Sequence, residues 1–164
     1  MTRPADLLDA WAANFTGAVQ QTGLYLRGDP AEVEEVVAGW CAREGVRYAL
    51  ARLSAAWRLV PDIRHSVASL YAEAGNSDHR GLIDALRKAC GATEVDSGAN
   101  LLLLQPFDPS VFVRAAGVPA VCTSPLQTYL DLKPAKGRAA EAAEIIFDRH
   151  IRLSFNAGAR EEPA

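Results

Sequence analysis

TSPLQTYLDLKPAKGRAAEAAEIIFDRHIR, residues 123–152, sets two helical signals on either side of a proline-and-glycine turn. Thr123 or Ser124 offers a side-chain oxygen as an N-cap, and Pro125 suits the first helical position, where a missing N–H costs nothing. The spacing predicts a short helix from Pro125 with Leu126, Tyr129, Leu130 and Leu132 on its apolar side. Pro134 disfavours helical geometry at Lys133 and closes that segment. After a turn over residues 134–137, a second helix begins at Arg138 and carries Ala140, Ala143, Ile146, Phe147 and Ile151 on one face, by which it should dock. Glu141, Glu144 and Asp148 share a neighbouring arc, and Arg152, four residues after Asp148, relieves part of their repulsion.

Upstream, strand and helix signals alternate. Residues 4–15 read as an amphipathic helix with Leu7, Leu8, Trp11 and Phe15 on its stripe. Leu24-Tyr25-Leu26 is a short β-prone run between Gly23 and Gly28. Asp29 then caps a helix with Pro30 at its first position, Val33, Val36, Val37 and Trp40 on the buried face, Glu32, Glu34 and Glu35 pointing elsewhere, and Gly45 as the stop. Residues 46–53 form a strand leading to a helical turn from Ser54, and residues 67–71 form another strand. Asn76, Ser77 and Asp78 cap a helix with Leu82, Ile83, Leu86 and Ala89 on its stripe, ending at Gly91. Residues 92–95 form a weak strand. Residues 100–104, NLLLL, are apolar on both sides of the pleat, which suits a central strand covered on both faces. Val111-Phe112-Val113 and residues 119–122 read as further short extended pieces. The expectation is a single domain of α/β or α+β class, with a mixed sheet of four to six strands and helices packed against it. It spans residues 1–155, followed by a flexible polar tail over 156–164. No internal repeat or low-complexity segment occurs.

At 164 residues such a chain buries roughly 70% of its unfolded surface on folding. Apolar residues make up 49% and charged residues 23%, which excludes disorder and fibrous classes. A net charge of −3 and a pI near 5.6 argue against general attraction to nucleic acid. No apolar run reaches the ~20 residues of a membrane span and no leader pattern opens the chain, so a cytoplasmic location is expected. Cys41, Cys90 and Cys122 lack metal or redox spacing and read as buried free thiols.

The run SPLQTYLDL followed by GRAAEAAEIIF resembles the closing signature of the AbiEi family, antitoxins of type IV toxin–antitoxin systems linked to abortive phage infection. Leu7-Leu8-Asp9-Ala10-Trp11-Ala12 is similar to the opening of that family's C-terminal domain. Tyr48-Ala49-Leu50, with Ser54-Ala55-Ala56 through Pro61, is similar to its tyrosine–alanine–leucine and double-alanine region. The resemblance implies a non-enzymatic antitoxin or regulatory domain that counteracts a nucleotidyltransferase-like toxin, with direct contact between the two left open. Members commonly carry a winged helix-turn-helix domain before this region, and the present chain begins where that domain would have ended. Operator DNA binding is therefore not expected from this chain alone. Neither a cofactor nor a metal is implied, and the oligomeric state is not indicated.

An enzymatic alternative rests on Asp131-Leu132-Lys133, the acid-x-lysine form used by metal-dependent nucleases, with Asp108 upstream as a first carboxylate. Such a lysine normally extends from a β-strand, whereas here it closes a helix, so a surface salt bridge is the simpler reading. His65, His79 and His150 are too dispersed for a metal motif and read as structural imidazoles, with His79 in an exposed first turn. Lys136-Gly137-Arg138 lacks the glycine-rich flanks of a phosphate loop and reads as a solvated helix entry. Trp40, Trp57 and Tyr129 read as core more readily than as base-stacking platforms. If a functional surface exists, its polar candidates surround the 134–137 turn: Gln127, Asp131, Lys133, Arg138, Glu141 and Glu144.

Overall fold

The computed structural model describes residues 6–8, 10–11, 20–75 and 77–158. Its strands are β1 (Gln21–Tyr25), β2 (Arg47–Leu50), β3 (Ala68–Glu73), β4 (Thr93–Glu94) and β5 (Leu101–Leu104). They form one mixed sheet in the order β2-β3-β5-β1-β4. β3 and β5 run parallel, from Ala68 opposite Leu101 to Tyr71 opposite Leu104, and the other three pairings are antiparallel. The parallel pair requires a long crossover. It contains the helix α3 (His79–Cys90).

The leucine run occupies the middle strand, and the pleat divides it between two cores. Leu101 and Leu103 face the main cluster with Leu24, Ala68 and Leu70. Leu104 faces a smaller one with Ala51, Tyr71 and Val111, and Leu102 and Phe112 pack against it. Asn100 extends the pairing beyond the strand end. Its side-chain Oδ1 accepts from Leu26 N at 2.9 Å and its Nδ2 donates to Leu26 O at 2.6 Å.

Together with α3, the main core takes side chains from α1 (Pro30–Glu44), α2 (Arg52–Leu59), α4 (Pro125–Leu132) and α5 (Arg138–Ile146). α1 starts in a capping box. Asp29 Oδ1 accepts from Glu32 N and Glu32 Oε2 accepts from Asp29 N, both at 2.9 Å. It ends at Gly45 in the left-handed region, φ 68°. Asp29→Ala should lower stability by about 1 kcal/mol without altering the fold, measurable as a small shift in thermal unfolding.

Several expectations change on folding. β1 starts earlier than the 24–26 run because Gln21 to Leu24 pair with β5, backbone to backbone, whatever their side chains. On α1, Val36 is exposed while Glu34 is buried among Val33, Val37, Trp40 and Cys41. Ala89 likewise faces solvent on α3, and His79 is half-buried instead of exposed. Burial lowers the His79 pKa. Residues 109–112 form a 3-10 turn in place of an extended run, capped by Asp108, whose Oδ1 accepts from Ser110 N at 2.8 Å. The 119–122 piece meets β2 through an isolated bridge from Leu50 to Cys122.

α4 ends at Leu132 as the proline dictates, although Lys133 itself keeps helical dihedrals. The second C-terminal helix docks by Ala142, Ala143, Ile146, Phe147 and Ile151, while Ala140 is only half-buried. It is interrupted by a π turn at Phe147–Ile151 before α6 (Arg152–Gly158). Within that turn His150 Nε2 donates to the Leu59 carbonyl at 3.0 Å, supplying a partner at the C-terminal end of α2. In the opening segment, residues 6–8 and 10–11 are helical, with Leu8 buried but Leu7 and Trp11 exposed. Phe15 lies outside the described residues. α6 carries the helix past Phe155, and residues 159–164 also lie outside the described residues.

Candidate functional site

The polar residues around the C-terminal turn fall into three separate pairs. Gln127 and Asp131, one helical turn apart on α4, meet each other beneath the helix surface, with Asp131 half-buried. Gln127 is buried, and its Nε2 donates to Asp131 Oδ1 at 2.8 Å. Tyr71 Oη donates to the same oxygen at 3.0 Å. The second oxygen, Oδ2, is shut off from solvent and accepts no hydrogen bond. Burial raises the Asp131 pKa to about 6, only partly opposed by the bonds from Gln127 and Tyr71 and by the more distant Arg52 charge. Burial, the adjacent Asp131 charge and the bond to it push the Tyr71 hydroxyl well above its ordinary value.

The second pair is Lys133 and Glu144, an ion pair between α4 and α5, with the ammonium 5.5 Å from the Tyr129 ring centroid. The hydrogen bond to Glu144 raises the Lys133 pKa. With Glu144 mostly in solvent, Lys133→Ala should cost less than about 1 kcal/mol, read as a near-unchanged melting temperature. Arg138 and Glu141 are the third pair. They line a groove of about 290 Å³ with Asp62, Ile63, Arg64, Ala142 and Ile145.

Asp108, Asp131 and Lys133, the carboxylates and lysine of the nuclease alternative, are each committed to different partners. Asp108 is exposed, and its bonds from Ser110 hold its pKa down. Among the described residues no group of three or more His, Cys, Asp or Glu side chains could hold a metal ion.

Leu126, expected on the apolar side of α4, is instead 38% exposed. It is one of the exposed large apolar residues near the start of α4. Another is Val113, 60% exposed, whose carbonyl accepts from Ser124 N at 3.1 Å.

A second charged cluster escaped the sequence reading. Glu34, 1% exposed, pairs with Arg58 of α2 and lies 2.5 Å from His65 Nε2. Trp57 sits between these partners. The Arg58 guanidinium lies 4.5 Å from its ring centroid, and the His65 ring centroid is 5.4 Å away. Arg58 Nη1 also donates to Ser54 O at 3.1 Å. Burial pushes the Glu34 pKa up, but the bonds from His65, Ser54 and Arg58 outweigh it and leave the carboxyl below its ordinary value. The cluster backs a mainly apolar groove of about 370 Å³ that also includes Tyr48, Ala120 and Val121. The available signal was Glu34's position three residues before Val37 and seven before Cys41, inside the buried stripe.

Cys41 and Cys122 are buried and Cys90 is half-buried, all as free thiols, and burial pushes Cys41 up to about 12. No helix among the described residues is long and apolar enough to cross a membrane.

The family model described as transcriptional regulator, AbiEi antitoxin, type IV TA system, matches residues 1–152, nearly the whole described body. The chain belongs to the AbiEi antitoxin family. No curated protein and no solved structure matches it. Membership of the AbiEi family supports an antitoxin or regulatory role, and the matched region holds both the Glu34 cluster and the Asp131 network.

Proposed function

We propose that the chain is a non-enzymatic antitoxin or regulatory domain that counteracts a nucleotidyltransferase-like toxin. The family match over residues 1–152 carries this reading. It is supported by the chemistry of the nuclease candidates. A metal-dependent site needs carboxylates available to a cation and a lysine aimed at developing charge. Here Asp108 caps a turn, Asp131 is enclosed with Tyr71 and Gln127, and Lys133 is paired with Glu144. The overall charge of −3 argues against operator binding by this chain alone, and the domain acts in the cytoplasm. The test is co-expression with a nucleotidyltransferase-like toxin that arrests growth. Restored growth is expected, and an unchanged arrest across such toxins would remove the proposal.

A further inference from the structure

The Arg58 guanidinium is held in place but only half used. Its Nη1 pairs with Glu34 and donates to Ser54 O at 3.1 Å, and the group lies over the Trp57 ring, 4.5 Å from its centroid. The edge that carries Nε and Nη2 meets no acceptor among the described residues. Those two nitrogens form a fork suited to a pair of acceptors side by side. Because Glu34 already balances the charge, the fork does not require an anion. Arg58 lines the groove of about 370 Å³, whose walls include Ala31, Ala38, Tyr48, Leu50 and Val121. A largely apolar groove of that size with a few polar groups has the character of a small-molecule site. Two further polar groups are open on its walls. Leu50 N donates outward to Val121 O and Leu50 O accepts from Thr123 N, both at 2.9 Å. Backbone groups alternate along an antiparallel strand, so Tyr48, two residues earlier in the same pairing with β3, also turns its N–H and C=O outward. No backbone bond from the described residues reaches them. Glu35 of α1 is exposed and adds a carboxylate without a hydrogen-bond or ion-pair partner among the described residues.

We propose that the groove between α1, α2 and β2 is a guanine-binding site. Arg58 donates to O6 and N7, while Glu35 and the Tyr48 carbonyl accept from N1–H and the 2-amino group. The donor pattern selects the base. Guanine sets two acceptors, O6 and N7, side by side, whereas adenine sets its N6 donor beside N7 and would turn it against Arg58. The apolar walls cover the flat faces of the ring, and the Trp57 contact keeps the fork from swinging away. A free guanine nucleotide and an unpaired guanine of a single-stranded RNA both carry this chemistry. The inference goes beyond the antitoxin reading and does not rest on it.

The experiment is isothermal titration calorimetry of the full chain with guanosine 5′-monophosphate, adenosine 5′-monophosphate and the ribotrinucleotide UGU. It is repeated for Glu35→Ala and Arg58→Lys, with thermal unfolding of each protein recorded alongside. Expected is saturable binding of the guanosine nucleotide, with the adenosine nucleotide about tenfold weaker. Glu35→Ala, at an exposed position, should keep the parent's melting temperature and bind the guanosine nucleotide at least fivefold more weakly. Arg58→Lys keeps a positive charge beside Glu34 but loses the fork, so the preference for guanine over adenine should disappear. Tighter binding of UGU than of the mononucleotide would assign the site to RNA, and the reverse order would assign it to free nucleotide. No guanosine binding up to about 1 mM would overturn the proposal. So would equal affinity for the two mononucleotides, or undiminished affinity in Glu35→Ala.

Discussion

Replacing Glu34 by alanine is expected to destabilise the fold by about 3–5 kcal/mol, because removing one partner of an enclosed ion pair leaves the other charge uncompensated. The magnitude follows from position: Glu34 is 1% exposed, and its partners Arg58 and His65 are themselves largely enclosed. At this chain length the loss should lower the melting temperature by on the order of 10 °C. Glu34→Gln keeps the shape and loses the charge, so it should fall between the parent and Glu34→Ala. The cluster also has a pH signature. The carboxyl's pKa lies below its ordinary value, so its contribution is present above about pH 4.5 and is lost as pH falls through the folded value. Calorimetric melting at pH 7 checks the first expectation. A shift of only 1–2 °C for Glu34→Ala would mean that the cluster contributes little.

Asp131 should behave in the opposite sense. Its folded pKa of about 6 lies above the ~3.9 of an exposed aspartate, so the folded state holds the proton more tightly than the unfolded chain. Its stabilising contribution is then complete below about pH 4 and is lost as pH rises through 6. A gap of roughly two units corresponds to about 3 kcal/mol by linkage. Asp131→Asn removes the titration, and the substituted chain should lose this fall in stability between pH 4 and 7. Denaturant unfolding across that range separates the cases, since the Glu34 effect lies mainly below pH 4.5. Parallel stability profiles for the parent and Asp131→Asn would show that the carboxylate is better solvated than its surroundings indicate. A group that lowers stability at neutral pH and is nonetheless charged there is a candidate for function.

Much of the architecture was legible because it depends on local rules. Asp29-Pro30 and Ser124-Pro125 start helices for backbone reasons, and Gly45 and Gly91 stop them by adopting left-handed dihedrals. The leucine run at residues 101–104 identified the strand at the centre of the sheet, since only a strand covered on both faces can use continuous apolarity. Other features depend on distant parts of the chain. Glu34 read as solvated because acidic residues usually are, and its burial is possible only because Arg58 and His65, 24 and 31 positions later, arrive beside it. Asp131 read as a helix-end surface charge, yet Tyr71 from β3, 60 positions away, draws it inward. The π turn at Phe147–Ile151 leaves no clear mark in the sequence, because residues 138–152 satisfy ordinary helical spacing. The six polar candidates were adjacent in sequence, but a helix distributes neighbouring residues around its axis, so they separate into an enclosed pair, an ion pair and a groove wall.

The proposed antitoxin role needs no nucleic-acid cleavage through Asp108, Asp131 and Lys133. Its most direct test is the growth rate of toxin-expressing cells that also carry the Asp108→Ala, Lys133→Ala double variant. Both side chains are at or near the surface, so the variant should fold. Rescue equal to that of the unaltered chain is the predicted result, and growth as arrested as without the chain would contradict it.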